Sequence, residues 1–323
     1  DVCSSDLFTM FLIYGIVGVL LVCIICALTV WVLSPIIKSL RQKKQTVHES
    51  ETVFFDPLTE TYQKFPSVDD APSLYLSIII PAYNEEKRLP KMLDECVPYL
   101  MKRSQSDPEF TWEIIVVDDG SKDKTKEVAY EYAKQYPKSA IRVLVEYSNR
   151  GKGGAIRMGV LSCRGRYVLM ADADGATTFS EVEKLEKAMK EGYDLAVGSR
   201  SQRQEGAAAK RAWYRRVLMV GFNFLVQTLS GIHGINDTQC GFKIFSRRAA
   251  RSVFHTLHLE RWAFDIEILY VASCLHYRIA EVPVQWTEIE GSKVSIVQAS
   301  ITMFRDMVAT RLAYVLHIWR LPA

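Results

Sequence analysis

"YVLMADADG", residues 167–175, ends an apolar run on two carboxylates, Asp172 and Asp174, one residue apart. A short apolar run closed by a glycine reads as a buried strand. Two like charges so close repel, and a cation held between them removes the conflict. Carboxylates are hard oxygen ligands, and a divalent ion bound by one or two of them together with substrate phosphates is the usual arrangement for magnesium. The pair therefore reads as a clamp for a metal bridging a diphosphate. A calcium loop is excluded, because the regular acidic spacing and terminal Glu are missing.

Upstream the same pattern recurs. "LYLSIIIPAYNEE" (74–86) and "WEIIVVDDGSKD" (112–123) are apolar runs ending in polar clusters, followed by the helical patterns "RLPKMLDECVPYLMKR" and "KTKEVAYEYAKQYP". "IRVLVEYS", a helix around "GGAIRMGVLSC" and the opening stretch complete a third round. Repeated strand-helix units imply an α/β fold, a mostly parallel sheet covered by helices on both faces. In such sheets ligands sit at the carboxyl ends of the strands. There the acidic residues converge: Asn84 and Glu85, Asp118 and Asp119, then Asp172 and Asp174.

The glycine cluster "NRGKGGAIRMG" (149–159) is neither a dinucleotide fingerprint, since Ile156 takes the place of the last glycine, nor a P-loop, since Gly153 follows Lys152. It still brings backbone amides and Lys152 to a helix start, where a phosphorylated ligand is favoured.

Composition narrows the class. The chain has 323 residues, 49% apolar and 24% charged, enough for a sizeable core. A net charge of +3 and the lack of a basic stripe interleaved with aromatics argue against nucleic acid as a partner. The seven cysteines are scattered. The close pair Cys23 and Cys26 falls in an apolar stretch without a second pair downstream, which argues against a zinc site or a disulfide framework.

From Leu7 to Leu33 no charged residue occurs, whereas a helix needs only about 20 residues to span a bilayer core. Lys38, Arg41, Lys43 and Lys44 follow, so residues 7–33 read as a signal-anchor helix, 1–6 as lumenal and everything after as cytoplasmic. Residues 34–73 read as a polar connector and 74–293 as the catalytic domain. Within it "WYRRVLMVGFNFLVQTLSGI" (213–232) has its cations at one end and suits a helix in the membrane interface. Residues 294–323, which mix Arg305, Asp306 and Arg311 with large apolar side chains, read as a second membrane-associated amphipathic helix.

"PAYNEE", "VVDDGSKDKT", "NRGKGGAIRMG" and "DADGAT", in this order and spacing, resemble the inverting family 2 glycosyltransferases of GT-A (Rossmann-like) fold. "GSR", "DTQCGFKIF", "ERWAFDIEILY" and "VQWTEIEGSK" narrow the resemblance to the dolichyl-phosphate β-glucosyltransferases of the endoplasmic reticulum, over roughly residues 75–293. Asn236 before Asp237 departs from the family's motif. The resemblance implies transfer of glucose from UDP-glucose to dolichyl phosphate with inversion. It implies Pro81, Tyr83, Glu85, Asp118 and Asp119 around the uridine, Asp172 near the ribose and diphosphate, and Asp174 holding Mg²⁺ or Mn²⁺. Related polyprenyl-phosphate mannosyltransferases carry a metal-binding Gln two residues after the second Asp. Here that place is Ala176, so coordination rests on Asp174, the diphosphate and water.

The chemistry agrees with elementary acid-base reasoning. A phosphate monoester has a second pKa of about 6 and is mostly dianionic near pH 7. As a nucleophile it needs no general base, only positive charge to bring two anions together. Arg200, Arg215 or Arg216, and Lys243 are the candidates for the acceptor phosphate, with Asp172, Asp174 and Arg200 the candidate catalytic residues. "HLERW" is similar to the Gln-x-x-Arg-Trp motif of processive synthases, with His258 in place of Gln, and a single span argues against extrusion of a polymer. Arg261, Trp262 and Asp265 are candidates for the edge of the sugar pocket. The alternatives are a related enzyme using GDP-mannose or another UDP-sugar, and a silent membrane scaffold of the same fold.

Overall fold

The computed structural model describes residues 2–41, 47–136, 140–200, 234–287, 289 and 296–322. Its centre is a seven-stranded sheet of β3 (Leu74–Ala82), β4 (Trp112–Asp118), β5 (Ile141–Val145), β6 (Gly165–Met170), β7 (Leu195–Ser199), β8 (Lys243–Ser246) and β9 (Ile279–Pro283). The spatial order is β5-β4-β3-β6-β8-β7-β9. All neighbours are parallel except at β8, which runs antiparallel to both β6 and β7.

The unbroken apolar strands have a direct cause. Alternate residues point to opposite faces, and both faces are buried. Ile78, Ile80, Ile114, Val116 and Leu169 join one core with Leu93, Val97 and Ala129 from α2 (Leu89–Ser106) and α3 (Thr125–Gln135), and with Leu185 from α5 (Val182–Lys190). Ile79, Ile115, Val117, Val168 and Met170 join the other with α4 (Lys152–Leu161), α6 (Arg247–Thr256) and α7 (Phe264–Cys274). α4 packs directly on the sheet at Gly159, where a Cβ would lie 2.5 Å from Ile79 Cγ2 and 2.8 Å from Val117 Cγ2.

The N-terminal helix α1 spans Val2–Arg41, longer at both ends than the apolar run alone predicts. Its Ile16–Ile37 segment, of mean hydropathy 3.0, is long and apolar enough to cross a membrane. The helix continues past Pro35, which has no N–H to donate. The Trp31 carbonyl left over by that loss accepts a hydrogen bond from Ser34 Oγ at 2.7 Å instead. Ile36 is already part of the second core.

The stretch read as a connector is structured. A 3-10 turn (Glu49–Thr52) leads into the hairpin β1 (Val53–Asp56) and β2 (Thr61–Lys64). β1 packs beside β5, an edge strand of the sheet. Phe54 lies beneath the Arg142 guanidinium of β5 at 4.8 Å and against Phe65. An otherwise polar segment thus carries the few apolar residues needed to cover that edge.

The C-terminal helix α8 (Ile296–Val315) packs on α1 and α7. Ala309, Thr310 and Ala313 are buried, while Ile301 and Phe304 are exposed. The helix expected at 213–232 lies outside the described residues.

Candidate active site

The reversed strand builds the site. Because β8 is antiparallel, its first residue, Lys243, sits opposite Met170 at the carboxyl end of β6 and opposite Val197 of β7. The loop before it, 237–242, therefore lies at the same sheet edge as Asp172 and Arg200. Gly241 packs directly on Asp172, so that a Cβ would fall 2.0 Å from Asp172 Oδ2.

Asp172 Oδ1 meets Lys152 Nζ at 2.5 Å. Lys152 stands at the first position of α4, and its ammonium lies 5.9 Å from the Trp262 ring. Burial works against the charge of Asp172, but Lys152, Lys243 and Arg200 outweigh it and hold the carboxyl below its ordinary value. Burial likewise opposes the charge on Lys152, and Asp172 and Asp265 overcome it, so its pKa is raised. Lys152 thus pairs with the first carboxylate of the Asp-x-Asp pair.

Asp174 is different. Its Oδ1 accepts from Ala176 N at 3.0 Å in a local turn, and it has no ion-pair partner among the described residues. Glu85 is close enough that Asp174 and Asp172 add to the burial that raises its pKa, against the opposing Arg88. No group of three or more His, Cys, Asp or Glu side chains suited to an ion exists among the described residues. An uncompensated, half-buried carboxylate beside another fits a cation shared with a substrate's phosphates, not a cage made by protein alone.

The remaining candidates divide into three groups. Arg200 Nε and Nη2 donate to the two oxygens of Asp237, both at 2.7 Å, and its guanidinium lies 5.4 Å from the Trp286 ring. Lys243 is fully buried and donates to Asp265 and, at 2.7 Å, to the Cys240 carbonyl. It acts on Asp172 through the field and not from the surface, while burial raises the Asp265 carboxyl despite Lys243 and Lys152. Arg215 and Arg216 lie outside the described residues.

At the other end of the edge, Asp118 is buried at the tip of β4 and accepts from Ser121 N. Asp119 spends both oxygens inside the protein, accepting from Arg150 N at 2.6 Å and from Gly151 N and Asn149 Nδ2 at 2.9 Å. Its observed contacts shape the glycine turn that presents Lys152. Loop 83–86 is stitched to loop 121–125 by Asn84 N to Ser121 Oγ and Glu85 N to Thr125 Oγ1, which leaves Tyr83 exposed beside Pro81. Arg261 lies against Gly151, and Trp262 is exposed.

Two participants had no role in the sequence reading. Asp237 orients Arg200. Trp286 is fixed to the loop after Asp174, through its bridge to Thr177 and the Thr287 N to Ala176 O bond of 2.7 Å. Both lie inside motifs quoted above, but nothing in their spacing announces that β8 and β9 bring them beside Arg200.

The chain is a family 2 glycosyltransferase: residues 77–254 match the family model described as glycosyl transferase family 2. Within that class it belongs to the dolichyl-phosphate β-glucosyltransferases. It is 49% identical over 280 residues to the Homo sapiens dolichyl-phosphate beta-glucosyltransferase, covering 85% of this chain and 86% of that one. The Saccharomyces cerevisiae enzyme of the same name is 42% identical over 266 residues, covering 78% of each. Among solved structures, a Mycobacterium tuberculosis glucosyl-3-phosphoglycerate synthase complexed with Mn²⁺, UDP-glucose and phosphoglyceric acid superposes with a TM-score of 0.54. The identity is 19% over 78% of this chain and 81% of that one, a likeness of the GT-A fold.

Proposed function

We propose that the chain transfers glucose from UDP-glucose to dolichyl phosphate with inversion, giving dolichyl β-glucosyl phosphate for N-glycan precursor assembly. It acts at the endoplasmic reticulum membrane, anchored by α1, with the catalytic domain on the cytoplasmic face. The observation that carries this reading is the placement of Lys152, paired with Asp172, and of Arg200, paired with Asp237, together at the carboxyl edge of the sheet. Such a placement suits a reaction in which one phosphate attacks next to another.

In this reading Lys152 swings its ammonium from Asp172 toward the donor diphosphate, where helix α4 also presents its N-terminus. Arg200, oriented by Asp237, offers the acceptor phosphate the guanidinium edge that Asp237 does not use, and Arg215 or Arg216 adds charge from the 213–232 segment. Pro81, Tyr83, Glu85 and Asp118 flank the nucleoside, and Asp119 holds the turn beneath it. Trp262 and Trp286 border the sugar, with Arg261 beside Trp262 and Asp265 behind Lys152. Mg²⁺ or Mn²⁺ would be held by Asp174, with Asp172 nearby, and would neutralise the leaving diphosphate. No side chain is needed as general base, since the acceptor is already dianionic near neutrality.

The test is transfer of labelled sugar from UDP-glucose, GDP-mannose and UDP-N-acetylglucosamine to dolichyl phosphate in membranes. We expect label from UDP-glucose alone, abolished by Asp174→Ala and by chelator. Label from GDP-mannose instead would assign a different donor, and no transfer by folded protein would leave only a scaffold.

A further inference from the structure

Loop 257–263 joins α6 to α7 and brings Arg261 and Trp262 to the site. Its site-facing side is welded to the start of α4. The Glu260 carbonyl accepts from Gly154 N at 3.0 Å. Gly151 and Gly153 are bare because a Cβ on them would lie 2.9 Å from the Glu260 carbonyl and 2.7 Å from that of Leu259. Lys152 sits between these two glycines, so the loop sets the direction from which Lys152 reaches Asp172.

The other side of the loop is held by one carboxylate. Glu267 of α7 is fully buried. It accepts from His258 N at 3.0 Å, Leu259 N at 2.6 Å, His258 Nδ1 at 3.0 Å and the Tyr314 hydroxyl at 2.9 Å. Tyr314 belongs to the last turn of α8, and Trp319 just beyond it stacks on the His258 ring at 4.3 Å with the planes 3° apart. α8 in turn packs on α1, with the Arg305 guanidinium 5.5 Å from the Trp31 ring. A buried carboxylate is costly unless its donors satisfy it. α7 needs none in its interior; the loop backbone and the C-terminal segment supply the donors.

We propose that Glu267 is a positioning residue which, with Tyr314 and Trp319, clamps loop 257–263 against α4 and thereby fixes Lys152 and Trp262 for transfer. The C-terminal segment 314–319 is on this account part of the catalytic apparatus, although it touches no substrate. The inference rests on the reading of Lys152 given above.

The test uses the full chain in lipid nanodiscs. Amide hydrogen exchange is followed by mass spectrometry for wild type, Tyr314→Phe, Trp319→Ala and Trp319→Phe. Tyr314→Phe removes one hydroxyl and Trp319→Ala one stacking ring, and each is expected to raise exchange in segment 150–156 about tenfold. Segments 76–82 and 112–118 keep wild-type rates, and Trp319→Phe restores protection. In parallel, kcat for glucosyl transfer falls about tenfold in the first two variants while KM for dolichyl phosphate is unchanged. Wild-type exchange at 150–156 in both Tyr314→Phe and Trp319→Ala would overturn the proposal. Exchange is read without substrate, so its outcome is separate from that of the donor assay.

Discussion

At the residue scale, two positions make sharp predictions. Gly241→Ala places a methyl where Asp172 Oδ2 now lies, at 2.0 Å. The strand that follows is anchored on both sides, so Asp172 has to yield. We expect a fold close to wild type and a loss of about 100-fold in kcat/KM, as misplacement of a site group by about 1 Å produces. Unchanged kinetics would remove Asp172 from the site. Glu146 is buried, 3.7 Å from Arg150 Nε, and its oxygens find no hydrogen-bond partner among the described residues. Burial and the neighbouring Asp119 push its carboxyl up to about 10. The folded state then binds a proton that the unfolded state releases near pH 4.3. Between that pH and about 10 the native chain holds more protons, so this group's contribution lowers stability as pH rises. Glu146→Gln removes the dependence, and its melting temperature is expected to exceed the wild type's by a few degrees at pH 8 and by less at pH 5. A gap that stays constant with pH would show Glu146 ionised in the folded protein.

At the scale of elements, α4, which carries Lys152 at its start, lies directly on the sheet at Gly159. Gly159→Ala inserts a methyl against Ile79 and Val117, and overpacking of this kind costs about 1–3 kcal/mol. Denaturant titration of the detergent-solubilised chain measures it; full stability would mean that α4 can shift outward freely. The hairpin 53–64 shows the limit of hydropathy reading. Phe54 and Phe65 are too few to make an amphipathic pattern, and the reason they are buried, an exposed edge at β5, is not local to them. β8 is the same case, since "KIF" is a strand by propensity, while its reversed direction depends on the path of the chain between β7 and β8.

At the scale of the molecule, α8 packs on α1, whose Ile16–Ile37 segment is long and apolar enough to cross a membrane. Asn236-Asp237-Thr238 is the chain's one acceptor sequence for N-linked glycan. Asn236 Nδ2 already donates to Glu281 Oε2 at 3.2 Å, and Asp237 is held by Arg200. With the domain on the cytoplasmic face, endoglycosidase treatment is expected to leave the chain's mobility unchanged. A shift would place the domain in the lumen and sink the cytosolic donor with it.

The sequence by itself determined the alternation of strands and helices, the long apolar N-terminal helix and the acidic strand ends, because these are written in patterns of a few residues to a few tens. It also carried the motifs by which the family is legible. Only the tertiary structure decided that Lys152 occupies Asp172, that Lys243 is buried against Asp265, and that Asp237 and Trp286 hold Arg200. It likewise tied Tyr314 and Trp319 to a loop some fifty residues earlier. Such pairings depend on which strand lies next to which and in what direction, and a charge pattern along the chain holds no record of that.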